Sequence, residues 1–170
     1  MPIEGITQPE QIPVRSNLRL RKYDGTIDFA LAWYQDCETL LLVDGKDQPY
    51  DMARLRQMYA YLNAHGELYF IEYQEDGTFI PIGDVTFCRN DLPIVIGDVR
   101  FRHCGIGSSV VRALIQRGQA LGFQDLWVEE IYSYNTGSEK LFTSLGFVPY
   151  ESTEKGHRYH LTIPGKMSKI

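Results

Sequence analysis

Cysteine is scarce in this chain and scattered: Cys37, Cys88 and Cys104 match no Cys-x-x-Cys or Cys/His metal spacing. That argues against a secreted disulfide framework and points to a reducing, cytoplasmic setting with no bound metal. Long apolar runs are also lacking, and no stretch approaches the roughly 18 residues that span a membrane. The polar start MPIEGITQPEQIPV has no basic-then-apolar signal pattern, so residues 1–15 read as an extended lead-in. There is no basic excess either: the net charge is −5, which disfavours nucleic acid as a partner. His157 and His160 are three apart on an expected strand, which turns the rings to opposite faces and not around a metal.

What is present is the composition of an ordinary globular chain, 44% hydrophobic and 23% charged over 170 residues. One domain is expected at 16–165, with a short tail at 166–170. Charge is unevenly placed. Seven acids between residues 24 and 51 face Lys46 alone, whereas residues 99 to 124 hold no acid but contain Arg100, Arg102, Arg112 and Arg117. The first region suits a cation and the second an anion.

Alternation marks strands at 18–23, 67–73, 79–87, 93–99 and 125–132, with a hairpin turn at Glu75-Asp76-Gly77. Helices are expected after Thr26, after the cap Asp51 and from Ile106 to near Gly122, with a short one capped by Asn135 and closed by Gly146. An acidic loop separates the first two helices, and a last hairpin turns at 154–156. This gives an α/β chain whose sheet is mixed but mostly antiparallel, flanked by about four helices, with 125–132 expected to pair parallel to the strand before it.

The chemistry centres on Arg102-x-x-Gly105-x-Gly107, between a strand and a helix without acids. Glycines admit a ligand close to the backbone, and the first helical amides and the helix dipole favour an anion such as a pyrophosphate. The third glycine of the dinucleotide fingerprint is missing, as is the Lys-Ser/Thr of a nucleoside-triphosphate loop. Downstream stands Asn135-Thr-Gly-Ser138-Glu-Lys-Leu141-Phe142-Thr-Ser-Leu145-Gly146-Phe147.

These two motifs, in this order, resemble the GNAT superfamily of N-acetyltransferases. Ser138 replaces the usual alanine and Phe142 the usual tyrosine. Trp33-Tyr34-Gln35-Asp36 and the PIGDV strand look like the branch of aminoglycoside and other small-molecule acetyltransferases. The resemblance implies a central sheet splayed between the strands at 93–99 and 125–132. It implies acetyl-CoA as co-substrate, with its pyrophosphate on Arg102, His103, Cys104, Gly105, Ile106, Gly107 and Ser108. Its pantetheine would lie along Val95, Ile96 and Gly97 and touch Asn135, Ser138 and Phe142. Phenylalanine at 142 cannot protonate a departing thiolate, so either Tyr132, Tyr134 or Ser138 would serve, or the thiolate would leave without strong acid help.

For the base that accepts the amine proton, Glu129 is the leading candidate, since alternation sets it on one face with Trp127 and Ile131. Asp84 and Asp98 are the others. The acidic loop, through Asp36 and Glu38 beside Trp33 and Tyr34, would read a cationic small-molecule amine. A peptide amine acceptor and a non-catalytic acyl-CoA sensor are the competing readings. A monomer and a homodimer both fit.

Overall fold

The computed structural model describes residues 2–165. The tail read at 166–170 therefore lies outside the described residues. Strands β1 (Gln11–Arg15) and β2 (Leu18–Lys22) lead to a 3-10 helix at Asp28–Gln35, then α1 (Cys37–Asp44) and α2 (Met52–His65). Strands β3 (Glu67–Glu75), β4 (Thr78–Phe87) and β5 (Ile94–Ile96) follow, and then α3 (Ile106–Ala120), β6 (Asp125–Tyr132), α4 (Thr136–Ser144), β7 (Val148–Ser152) and β8 (Gly156–Thr162).

The strands form two sheets. One has five strands in the order β1-β2-β3-β4-β5, and the other three in the order β6-β8-β7. Every ladder is antiparallel. No ladder joins β5 to β6, so the expected parallel pairing does not form and the splay is complete. Alternation in β3 explains how the larger sheet is covered. Tyr69 and Ile71 face the α3 side with Leu18, Leu20, Val110 and Leu114. Leu68 and Phe70 face the other side with Tyr34, Leu55 and Tyr59.

The expected caps form: Asp51 accepts from the Arg54 amide at 2.8 Å and Asn135 from the Ser138 amide at 3.1 Å. At the β3–β4 hairpin Asp76 and Gly77 both have positive φ, 50° and 79°, which suits the twist of the flanking strands.

Three readings are corrected. The lead-in is not merely extended, because Gln11–Arg15 pairs with β2 and the Gln8 amide reaches the Leu68 carbonyl at 3.0 Å. The acidic loop contains α1, started by Asp36, whose carboxylate accepts from the Thr39 amide at 2.9 Å. Strand β6 carries a one-residue bulge between Val128 and Ile131. The bulge turns Ile131 into the core beside Val128, so it does not share a face with Glu129, and it leaves Glu129 and Glu130 both exposed.

Candidate active site: an open gap with an anion cradle

The two sheets part along a cleft of about 1100 Å³. One wall is β5 and the start of α3, the other is β6 and α4, and the side chains of Thr39, Leu42 and Val43 from α1 lie over it. Near the start of β5 the walls are stitched together. The Trp127 amide donates to the Arg89 carbonyl at 3.2 Å, and the Glu129 amide donates to Asp91 Oδ1 at 3.0 Å.

At the other end lies the loop before α3. His103 and Gly105 are left-handed, with φ of 58° and 77°. The first α-helical bond of α3 is from the Ser109 amide to the Gly105 carbonyl, at 3.2 Å. The amides of Ile106, Gly107 and Ser108 therefore have no acceptor among the described residues. A Cβ placed on Gly105 would meet nothing within 4 Å, so this glycine borders open space. Gly107 is small for another reason: a Cβ there would lie 2.4 Å from Leu141 Cδ1, where α3 passes α4. Free amides, a dipole end and a segment at 99–124 without an acid fit a diphosphate.

Several of the expected residues meet at this cleft. Val95, Ile96 and His103 line it with the Gly105–Ser108 segment, and Glu129, Tyr132, Asn135, Ser138 and Phe142 line it from the opposite wall. Phe142 is otherwise a core ring, edge-on to Phe147 at 5.2 Å. Gly97 and Cys104 do not line the cleft. Gly97 is pressed under the Trp33 indole, where a Cβ would lie 2.2 Å from Cγ. Cys104 Sγ turns back on the Arg102 carbonyl at 3.2 Å.

Other expected residues are committed elsewhere. Trp33 and Tyr34 are buried core, not an acceptor platform, because the inner side of their 3-10 helix packs on the sheet. Asp98 caps the turn at Val99–Phe101 and pairs with Arg100 at 2.8 Å, and the Arg100 hydrogen bond holds its carboxyl below the ordinary value. Arg102 lines the cleft, but it gives its amide to the Val99 carbonyl at 3.3 Å and points its guanidinium at α1.

Asp84 lies in the core under the 3-10 helix. Its Oδ2 accepts from the hydroxyls of Tyr34 and Tyr59, each at 2.8 Å. Burial pushes this carboxyl from 3.8 up to about 6, against the pull of the two hydroxyls. The folded chain therefore binds the proton more tightly than the unfolded one, and stability falls as pH rises from 3.8 through about 6, then levels. In thermal unfolding across that window, Asp84→Asn is expected to lose this component of the pH dependence while keeping an acceptor for both tyrosines.

Two cleft carboxylates escaped the sequence reading. Asp91 sits where the walls meet, its Oδ1 fixed by the amides of Leu92 at 2.9 Å and Glu129 at 3.0 Å. Its Oδ2 has no hydrogen-bond partner among the described residues, and burial raises its carboxyl above the ordinary value against the pull of the two amides, with a small further push from the Glu129 charge. Glu130 lines the same stretch. The signal for Glu130 was the adjacent pair Glu129-Glu130, which breaks the alternation of β6 and marks the bulge. Among the described residues, no cluster of three or more His, Cys, Asp or Glu is placed to hold a metal, and no helix is long and apolar enough to cross a membrane.

Fold and site together define a split-sheet α/β protein with an anion cradle at one end of an open gap. Residues 27–147 match the model of the acetyltransferase (GNAT) family, so the chain belongs to that family and is an acetyltransferase. Among solved structures it is similar to a domain from Methanocaldococcus jannaschii, at 20% identity over 87% of this chain and 99% of that one, with a TM-score of 0.75. It is also similar to spermidine N-acetyltransferase from Vibrio cholerae in complex with CoA and spermine, at 15% identity over 88% and 97%, with a TM-score of 0.70. A third is the Salmonella typhimurium acetyl transferase that modifies the N-terminal serine of a 50S ribosomal subunit protein, at 18% identity over 91% and 100%, with a TM-score of 0.63. At these identities the likeness is one of fold. No curated protein matches the chain.

Proposed function

We propose that this chain uses acetyl-CoA to acetylate a primary amine of a cationic small molecule, by direct attack while both substrates are bound. The observation that carries the reading is the single cleft with free amides at one end and the carboxylates Asp91, Glu129 and Glu130 at the other. Acetyl-CoA, when bound, supplies an activated acetyl thioester. The free amides of Ile106, Gly107 and Ser108 would hold its diphosphate. Strand β5 is the edge of its sheet, so its outer main-chain groups, other than the Ile96 carbonyl that Arg102 holds, are available to the pantetheine.

An alkylamine is protonated at neutral pH, with a pKa of about 10.4, so a proton acceptor is needed. Asp91 is that acceptor: it lines the cleft, is fixed by two amides and has one oxygen free. The exposed Glu129 and Glu130 draw the cation to the gap. Tyr132 lines the cleft with no hydrogen-bond partner for its hydroxyl among the described residues, and it donates the proton that Phe142 cannot. Tyr134 cannot take this role, because its hydroxyl is bonded to the Leu41 carbonyl. Cys104 lies outside the cleft lining, which favours direct attack over a covalent acyl-enzyme.

The test is thiol release from acetyl-CoA against a panel of spermidine, an aminoglycoside, free amino acids and a serine-ended peptide. Turnover with the polycations is expected. Turnover with the peptide alone moves the chain to the protein acetyltransferases, and release with none supports an acyl-CoA sensor.

A further inference from the structure

Helix α1 is fastened to both walls of the cleft. On the β5 side, Arg102 spreads its guanidinium over three partners. Nε donates to the Ile96 carbonyl at 3.0 Å, Nη2 to Thr39 Oγ1 at 2.6 Å and Nη1 to Glu38 Oε2 at 3.4 Å. Asp36 stands 3.9 Å away, and the side chain is only 16% exposed. On the β6 side, the Tyr134 hydroxyl donates to the Leu41 carbonyl. The ring of Tyr134 stacks on Tyr132 at 5.5 Å, and this tyrosine pair abuts Gly45, the residue that ends α1.

The two charge regions that the sequence sets apart, acidic at 24–51 and basic at 99–124, are here joined to each other. We propose that Arg102 and Tyr134 are positioning residues that dock α1 across the gap, so that α1 roofs the place where the amine meets the thioester. This rests on the proposed amine acetylation for what passes beneath α1, but not for the docking itself.

Three observations carry it. Arg102 lines the cleft, but its amide goes to the Val99 carbonyl and each of its three guanidinium nitrogens is bonded to Ile96, Glu38 or Thr39, which aims the side chain at α1. An eight-residue helix is too short to persist alone, and α1 buries only Thr39 and Leu40, so its placement depends on its ties. Leu42 and Val43 line the cleft, so any shift of α1 changes the acceptor's side of it.

The experiment compares wild type with Arg102→Ala, Arg102→Lys and Tyr134→Phe by hydrogen exchange and by calorimetric titration with CoA. In Arg102→Ala and Tyr134→Phe, amides of α1 are expected to exchange about tenfold faster, with β3 and β4 unchanged. Arg102→Lys keeps the charge opposite Glu38 but not the fork to Thr39 and Ile96, and falls between. The CoA Kd stays within about threefold in all variants. With spermidine as the amine probe, KM for the amine rises about fivefold or more while KM for acetyl-CoA holds. Unchanged exchange in α1, or a tenfold loss of CoA affinity, overturns the proposal. If spermidine is not acetylated, the acceptor reading fails, while exchange and calorimetry still decide the docking.

Discussion

Replacing Asp91 with asparagine is expected to lower kcat by about 10²-fold or more, the range for loss of a positioned general base. Asparagine keeps the Oδ1 that accepts the amides of Leu92 and Glu129, so the stitch between the walls survives and the folded state should be little changed. The free oxygen becomes an amide and can no longer take a proton. Because burial raises the Asp91 carboxyl, the wild-type rate should fall, as pH drops, at a pH above the ordinary 3.8. The variant should lack that limb. Glu129→Gln should act on the amine KM and leave the acid limb in place. A pH–rate profile with the two effects exchanged would move the base to Glu129, where alternation first placed it.

The second large effect concerns stability. Arg117 from α3 grips Glu67 on β3 through Nε at 2.7 Å and Nη2 at 2.6 Å, and the Tyr69 hydroxyl completes the carboxylate at 2.8 Å. Glu67 has no exposure at all, so Arg117→Ala would leave a buried carboxylate with one neutral donor. The expected cost is about 3–5 kcal/mol, read from urea unfolding monitored by circular dichroism. Removing both charges at once, as Glu67→Met with Arg117→Leu, should recover most of that loss, because the penalty comes from the unpaired charge and not from absence of the pair. A mild effect of Arg117→Ala would mean that water reaches Glu67.

Much of this architecture could be read from local pattern. Asp51 and Asn135 announce their helices because a capping carboxylate or amide stands directly before an apolar helical stripe. The cradle was legible because glycines between a strand and an acid-free helix have few other uses. Helix α1 was harder: Asp36 looked like one acid among seven, although Leu40-Leu41-Leu42-Val43 follows its cap. Pro13 hid β1, since proline in a strand is tolerated only at an edge, which is where β1 lies. The fate of Asp84, Asp98, Trp33 and Arg102 depends on partners 2 to 64 positions away in sequence, from Arg100 beside Asp98 to Glu38 against Arg102. Spacing alone carries no information about which face such a residue turns to.

The split sheet has an optical consequence. The chain has two tryptophans, and the split assigns one to each part. Trp33 is seated on Gly97, beside the larger sheet, while Trp127 belongs to β6 and stacks on the His160 ring at 4.0 Å. Single-tryptophan forms therefore watch the two sheets separately. Coincident fluorescence transitions would mean that the shared core and the stitch at Asp91 make one cooperative unit of two unpaired sheets; separated transitions would reveal two.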